Sequence, residues 1–271
     1  MKHELSELLG LAKRAASSGA DVHRRAIERG NIAVSTKASS YDLVTEIDQE
    51  AEREIVAVIQ AARPSDEILG EENANLRGDS GVRWILDPLD GTTNYVHRYP
   101  AHSVAVGIEI DGRRMIGVVH DTFSNRVYTG VIGQGATCDD MPIAVRNECE
   151  LPQALVGTGF LPNADVRRAQ ADLLREILPR VRDIRRSGCP SLDICSVASG
   201  VLDAFYESGL GQWDIAAAAA IAEAAGATVL LLNSGLLPNP LLVVANAKLS
   251  TALVAALTEA GAVGHTRTNT A

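Results

Sequence analysis

Trp84-Ile85-Leu86-Asp87-Pro88-Leu89-Asp90-Gly91-Thr92-Thr93-Asn94-Tyr95 is the stretch from which the rest of this chain can be read. Its approach, Val82 to Leu86, is apolar and aromatic, and predicts a buried strand. Two acids follow, Asp87 and Asp90, with Pro88 and Leu89 between them. Gly91, Thr92 and Thr93 then open a helix or helical turn. A strand that ends in carboxylates and runs into a helix start suits cations and a phosphate held together. The carboxylates are hard oxygen ligands of the kind Mg²⁺ takes. The unpaired N–H groups and dipole at a helix start favour a phosphate. Pro88 restricts the backbone between the acids, which is expected to let both point into one site. A plain capping turn is the alternative, but two acids, a glycine and two hydroxyls in this order exceed what a cap requires.

Asp87-Pro88-Leu89-Asp90-Gly91-Thr92-Thr93-Asn94, preceded by Trp84, resembles the signature of the inositol monophosphatase family. Members of that family are Mg²⁺-dependent, lithium-sensitive phosphomonoesterases. The resemblance implies an α/β (α+β) fold, a layered αβαβα sandwich of the inositol monophosphatase and fructose-1,6-bisphosphatase type. An N-terminal α+β half, residues 1–150, would carry most metal ligands. An α/β half, residues 151–271, would complete one catalytic unit, with the site in the cleft between them. A homodimer is expected on the same ground.

Composition agrees with an enzyme of this kind. The 271 residues are enough for one large core or two closely packed halves. Hydrophobic residues are 46% and charged residues 22%, the balance of a soluble globular protein. The net charge of −9 argues against a broad nucleic-acid-binding face. An acidic protein that acts on phosphoesters must neutralise its site, and metal ions would do so. Cys138, Cys149, Cys189 and Cys195 have no CxxC spacing and read as reduced thiols. With no signal-peptide pattern at the N-terminus, a cytoplasmic protein is expected. The most apolar tract, 215–232, is interrupted by Glu223 and Gly226, so it reads as a buried helix and a strand and no membrane span is expected.

Upstream of the central stretch, residues 4–29 have helical periodicity, with Gly19 a candidate bend. Lys37-Ala38-Ser39-Ser40 reads as a polar loop, and Thr45 as the N-cap of a helix over 46–62 with Asp48 in its first turn. An acid there is common simply because it complements the dipole. Gly70-Glu71-Glu72 ends a short apolar strand, and two adjacent carboxylates by themselves read as an exposed acidic turn. Asn75 to Gly81 reads as a surface loop. The resemblance adds roles. Lys37 and Asp42-Leu43-Val44-Thr45-x-x-Asp48 are similar to the family's lysine loop and to the segment whose Asp bonds the catalytic Thr. Gly70-Glu71-Glu72 is similar to the family's Gly-Glu-Glu, whose first Glu binds metal, with Lys37 and Glu72 behind the ligands.

Downstream, Ser103–Ile110 alternates as a strand and Asp111-Gly112 is a hairpin signal. Further strands are expected over 115–121, 126–131, 155–160, 201–207, 228–232 and 242–245, and helices over 164–181, 192–198, 215–225 and 249–257. Asp214 reads either as a plain N-cap of the alanine-rich helix or as a ligand. Trp213-Asp214 before a helix closed by Gly226 resembles the family's second signature, which makes Asp214 the remaining carboxylate ligand. By the same resemblance Glu207 accepts hydrogen bonds from the substrate's hydroxyls, and Arg185-x-x-Gly188 borders its alcohol portion. Cys189-Pro190-Ser191 departs from the small residues usual there, and Pro190 removes a backbone donor.

Taken together, the resemblance implies two or three Mg²⁺ per subunit. Glu71, Asp87 and the Leu89 carbonyl would hold one ion and Asp87, Asp90 and Asp214 another. Glu71 and Thr92, the latter oriented by Asp48, would position the attacking water, and Gly91 and Thr92 the phosphate. The expected activity is hydrolysis of inositol-1-phosphate. The alternatives are the same chemistry on histidinol phosphate, fructose-1,6-bisphosphate or a 3′-phosphonucleotide, or an added role as partner of a transcription complex.

Overall fold

The computed structural model describes residues 2–30, 34–36, 43–147, 149–235 and 237–263. Lys37, Asp42 and the tail from Gly264 lie outside them. In chain order the elements are α1 (Lys2–Arg29), β1 (Val34–Thr36), β2 (Leu43–Thr45), α2 (Glu46–Ala62), β3 (Glu67–Gly70), β4 (Asn75–Leu76), β5 (Val82–Asp90), α3 (Thr92–Val96), β6 (Ser103–Ile110), β7 (Arg113–Asp121), β8 (Arg126–Val131), β9 (Gly135–Cys138) and β10 (Met141–Ile143). There follow β11 (Leu155–Thr158), α4 (Ala164–Ile177), β12 (Asp183–Arg185), α5 (Pro190–Ala198), β13 (Ala204–Ser208), α6 (Gln212–Ala224), β14 (Thr228–Leu232), β15 (Leu241–Ala245) and α7 (Ala247–Glu259).

Among the described residues there are two sheets beside the small β1–β2 pair. The larger has eight strands in the order β10-β9-β8-β7-β6-β5-β3-β4. It is antiparallel except where β3 runs parallel to β5. The other has five strands in the order β12-β11-β13-β15-β14. The apolar faces of α1 and α2 cover one side of the larger sheet, with Leu8, Ala12, Ile55 and Ile59 against Trp84, Leu86, Val104 and Val106. α5 and α6 fill the space between the sheets. α4 and α7 cover the far side of the smaller one. This is the expected αβαβα layering.

α6 is the central helix, and it is apolar all round because it is buried all round: every residue from Ile215 to Ala222 is buried. Alanine lets it lie close to the sheet, and the sheet reciprocates. Gly107, Gly117 and Gly130 are in register on β6, β7 and β8. They form a stripe without side chains beneath α6. A Cβ on Gly117 would stand 1.9 Å from the Ala217 carbonyl oxygen, and one on Gly130 would stand 2.5 Å from Ile221 Cα. The stripe therefore sets the height of α6, and with it the position of Asp214 in its first turn.

Several local expectations are corrected. α1 is not divided at Gly19; the residue marks a close approach, where a Cβ would lie 2.8 Å from Ile55 Cδ1. Asn75–Leu76 is a short strand on β3, not a loop. Pro179 ends α4 early, and residues 178–180 tighten into a 3₁₀ turn. Conversely α5 starts two residues sooner than expected because Pro190 occupies its first position, where a missing N–H is harmless. All four cysteines are free. Among the described residues no helix is long and apolar enough to cross a membrane.

Candidate active site

The strand carrying Asp87 and Asp90 does not stop at Leu86; β5 continues through both acids. In a regular strand residues three apart face opposite sides of the sheet. Here the pairing shifts: Asp87 is opposite Ala105 and Asp90 opposite Ser103, so one extra residue is inserted on β5. This bulge puts both carboxylates on one face. Pro88, which has no N–H to give to the ladder, sits inside it. Asp87 turns one oxygen back to accept the Leu89 N–H at 3.0 Å.

Glu71 comes in from the neighbouring strand. Gly70 pairs with Leu86, and the Glu71 N–H donates to the Leu86 carbonyl at 3.1 Å, which sets Glu71 beside Asp87. Asp214 comes from α6. It is not the N-cap: Gly211 is, and Asp214 stands three positions on, accepting the Gly211 N–H at 2.6 Å. The capping and ligand readings of Asp214 are therefore compatible. A carboxylate oxygen from each of Asp87, Asp90 and Asp214 lies within 4.8 Å of the others.

Such a cluster is costly without a cation. Burial, then the charges of Glu71, Asp90 and Asp214, push the Asp87 carboxyl well above the usual range. Burial also raises Asp90, although Ser191 opposes the shift through its N–H at 2.7 Å and its hydroxyl at 2.5 Å. The Cys189 thiol donates to the same Asp90 oxygen at 3.0 Å. Asp87 Oδ2 is buried with no hydrogen-bond partner. An unpartnered oxygen among all-oxygen donors fits a hard divalent cation.

The Thr92 hydroxyl lies 3.1 Å from both Asp48 Oδ1 and the Leu89 carbonyl, and can donate to one at a time. Asp48, from the first turn of α2, is buried. Gly91 has φ of 85°, and a Cβ there would meet the Ala101 carbonyl oxygen at 2.8 Å, so glycine is required on both counts.

These residues open onto a cleft. Glu71, Gly91, Thr92, Asp214, Gly188, Cys189, Pro190 and Glu207 all line it. Arg185 does not. It ends β12, is exposed, and pairs with Asp183 at 2.6 Å; the next residue, Arg186, lines the cleft instead. Alternation along an extended segment decides which of the two faces inward. Glu72 is half-buried and does not line the cleft. Glu207 is 6% exposed, and its Oε2 is buried without a partner. Burial, then Asp214 and Asp90, hold its carboxyl well above the usual range. A Cβ on Gly159 would lie 2.1 Å from that oxygen, so Gly159 is what leaves room for it.

Four further side chains support the site in roles the sequence did not indicate, and of them only Ser191 lay in a segment already noted beside the substrate. Ser191 and Ser103 are hydrogen-bonded at 2.7 Å beside Asp90. Buried His23 donates from Nε2 to the Pro88 carbonyl at 2.9 Å, inside the bulge, and burial lowers its pKa to about 3. Asp193 lines the cleft, and burial raises its pKa to about 7. No local pattern announces any of these; each acts through a contact distant in sequence.

Asp193 yields a pH prediction. Its native pKa is above the ordinary 3.8, so between about pH 4 and 7 the native state holds the proton that the unfolded chain has lost. Stability from this group is present at low pH and is lost as pH rises through 7. His23 and His102, whose pKa values are lowered, act in the opposite sense, so the comparison must be with a variant. Metal-free Asp193→Asn should melt above the parent at pH 8, and the gap should narrow as pH falls below 7 and close near pH 4. A gap independent of pH in differential scanning calorimetry would contradict this.

The model of the inositol monophosphatase family matches residues 4–262. The inositol-1-monophosphatase SuhB of Mycobacterium tuberculosis (strain ATCC 25618 / H37Rv) is 42% identical over 211 residues, 74% of this chain and 73% of that protein. The Nus factor SuhB of Pasteurella multocida is 37% identical over 233 residues, 85% of this chain and 87% of that protein. Among solved structures, inositol monophosphatase from Anabaena (Nostoc) sp. PCC 7120 superposes with a TM-score of 0.81 at 30% identity, covering 94% of this chain and 97% of that one.

Proposed function

Because this chain belongs to the inositol monophosphatase family and is a phosphatase of that family, we propose that it hydrolyses inositol-1-phosphate to inositol and phosphate with Mg²⁺. The observation that carries the reading is the convergence of Asp87, Asp90 and Asp214 from one bulged strand and one helix start. With Glu71 and the Leu89 carbonyl they would hold the cations. Bound Mg²⁺ supplies polarisation of the phosphate and makes water acidic at neutral pH. Lithium inhibition and a homodimeric assembly belong to the same reading.

The chain's own groups divide the remaining work. Thr92, donating to Asp48, keeps lone pairs for a water molecule, and Asp48 can take the proton that passes through the hydroxyl. Glu71, on the cleft wall, orients that water from the other side. The Thr92 N–H would hold the phosphate, together with the Gly91 N–H once a cation draws the Asp90 carboxylate away from it. The alcohol is read mainly by side chains. Pro190 has no N–H, and the Ser191 N–H is committed to Asp90, so the start of α5 has little left for a substrate. Glu207, whose buried Oε2 has no partner in the protein, is the group that accepts from a polyol hydroxyl.

A panel of phosphomonoesters assayed with Mg²⁺ tests this, run on the parent and on Glu207→Ala. Cations beside Asp214 and Asp90 would offset the charges that raise the Glu207 carboxyl and so favour its ionised form. Losing a hydrogen bond to a charged group costs about 1.5–3 kcal/mol, or roughly ten- to a hundredfold in kcat/KM. That loss is expected for inositol-1-phosphate, with little change for an ester lacking hydroxyls. Equal loss on every ester would remove the polyol-reading role, and no preference for inositol-1-phosphate in the parent would overturn the substrate. The name of the Pasteurella multocida relative favours a second reading, an added role as a transcription partner. Retention of RNA polymerase on the immobilised chain would support that role, and its absence would remove it.

A further inference from the structure

One buried carboxylate lies outside the cleft yet touches the loop that presents Glu71. Glu52, on α2, is 4% exposed and does not line the cleft. β3 and β4 form a hairpin, closed by the Gly70 N–H donating to the Ala74 carbonyl at 2.7 Å. Within the turn, three successive N–H groups point to one place, and the Glu52 carboxylate fills it. Oε2 accepts the Glu72 N–H at 3.0 Å. Oε1 accepts the Asn73 N–H at 2.7 Å and the Ala74 N–H at 2.8 Å. Successive N–H groups of this kind form a concavity that holds an anion, and here the anion is internal. The carboxylate comes so close that a Cβ on Gly70 would stand 2.0 Å from Oε2. Gly70 has no positive φ to justify glycine, so the approach of Glu52 is the reason for glycine before Glu71.

We propose that Glu52 and Gly70 act as one positioning unit that holds the 71–74 turn so that Glu71 faces Asp87, and that cation binding depends on it. The proposal rests on the reading of Glu71 as a ligand. The Glu71 backbone is pinned on one side by its N–H to the Leu86 carbonyl. The Glu72 N–H on Glu52 pins it on the other. With both ends held, the Glu71 side chain leaves a backbone that cannot rotate. With the second end free, Glu71 keeps its charge and loses its direction.

Glu52→Gln tests this at nearly constant volume. One amide oxygen can still serve Asn73 and Ala74, but the NH₂ group then faces the Glu72 N–H. Mn²⁺ binding to the metal-free protein, read by electron paramagnetic resonance, avoids dependence on turnover. Groups that orient metal ligands typically contribute 10- to 100-fold in affinity. Glu52→Gln is expected to weaken Mn²⁺ binding by about tenfold or more, with circular dichroism unchanged. Gly70→Ala, which drives the carboxylate out, should do the same and serves if Glu52→Gln does not fold. The Glu52→Gln, Glu71→Gln double variant should bind no more weakly than Glu71→Gln alone. If Glu71→Gln binds Mn²⁺ like the parent, the ligand reading itself is wrong. If Glu71→Gln weakens binding while Glu52→Gln and Gly70→Ala do not, or if the Glu52 and Glu71 effects simply add, the positioning unit is overturned.

Discussion

Asp87→Asn is expected to lower turnover by at least about a thousandfold and to raise the melting temperature of the metal-free protein. In the proposed ligand set Asp87 would contribute to both cations, so its charge would serve each of them. Three decades correspond to about 4 kcal/mol of transition-state stabilisation. Removing a single preorganised electrostatic contact elsewhere costs roughly 10²–10³. The fold should not suffer. The asparagine oxygen can still accept the Leu89 N–H, now made by Asp87 Oδ1. Its NH₂ group takes the place of Oδ2, the buried atom without a partner, beside Glu71, Asp90 and Asp214. A donor thus replaces a like charge. The gain should appear as roughly 2–4 °C for each kcal/mol relieved, and should vanish when Mg²⁺ is added to the parent. Near-normal turnover in excess Mg²⁺, or a lower melting temperature without metal, would contradict the assignment.

A second large effect is expected far from any ligand. Gly117→Ala adds one methyl group to the stripe under α6. The added carbon would stand 1.9 Å from the Ala217 carbonyl oxygen and 2.8 Å from its carbon, both backbone atoms that no rotamer change can move. Either β7 or α6 must shift. Overpacking of this kind typically costs 1–3 kcal/mol, so the melting temperature should fall by roughly 2–12 °C. Activity should fall further than stability suggests. Asp214 lies less than one helical turn before Ala217, and its carboxylate must stay with those of Asp87 and Asp90. A displacement of about 1 Å in a catalytic group can cost about a hundredfold. A variant with parental melting temperature and kcat/KM would show that the stripe does not set the helix position.

What could be read from the sequence followed from short-range physics. Alternation over Ser103–Ile110 specifies a strand because side chains along an extended backbone face opposite sides. The run from Ile215 to Ala222 specifies a buried helix because it has no polar face to turn to water. The order of acids, glycine and hydroxyls in Asp87–Asn94 marks the site because few other needs require all of them together. Tertiary structure decided how those pieces meet. The extra residue in β5 depends on how β6 pairs with it, and only that pairing turns Asp90 to the side of Asp87. Gly107, Gly117 and Gly130 are unremarkable apart; their register makes them one seat for a helix. Arg185 and Arg186 are equivalent in a string of letters, and the course of β12 into the cleft wall selects the second. Glu52 reads as one more charge on an amphipathic helix until the 71–74 turn is folded over it. In each case the deciding interaction joins residues distant in sequence, where propensity and periodicity carry no information and packing does.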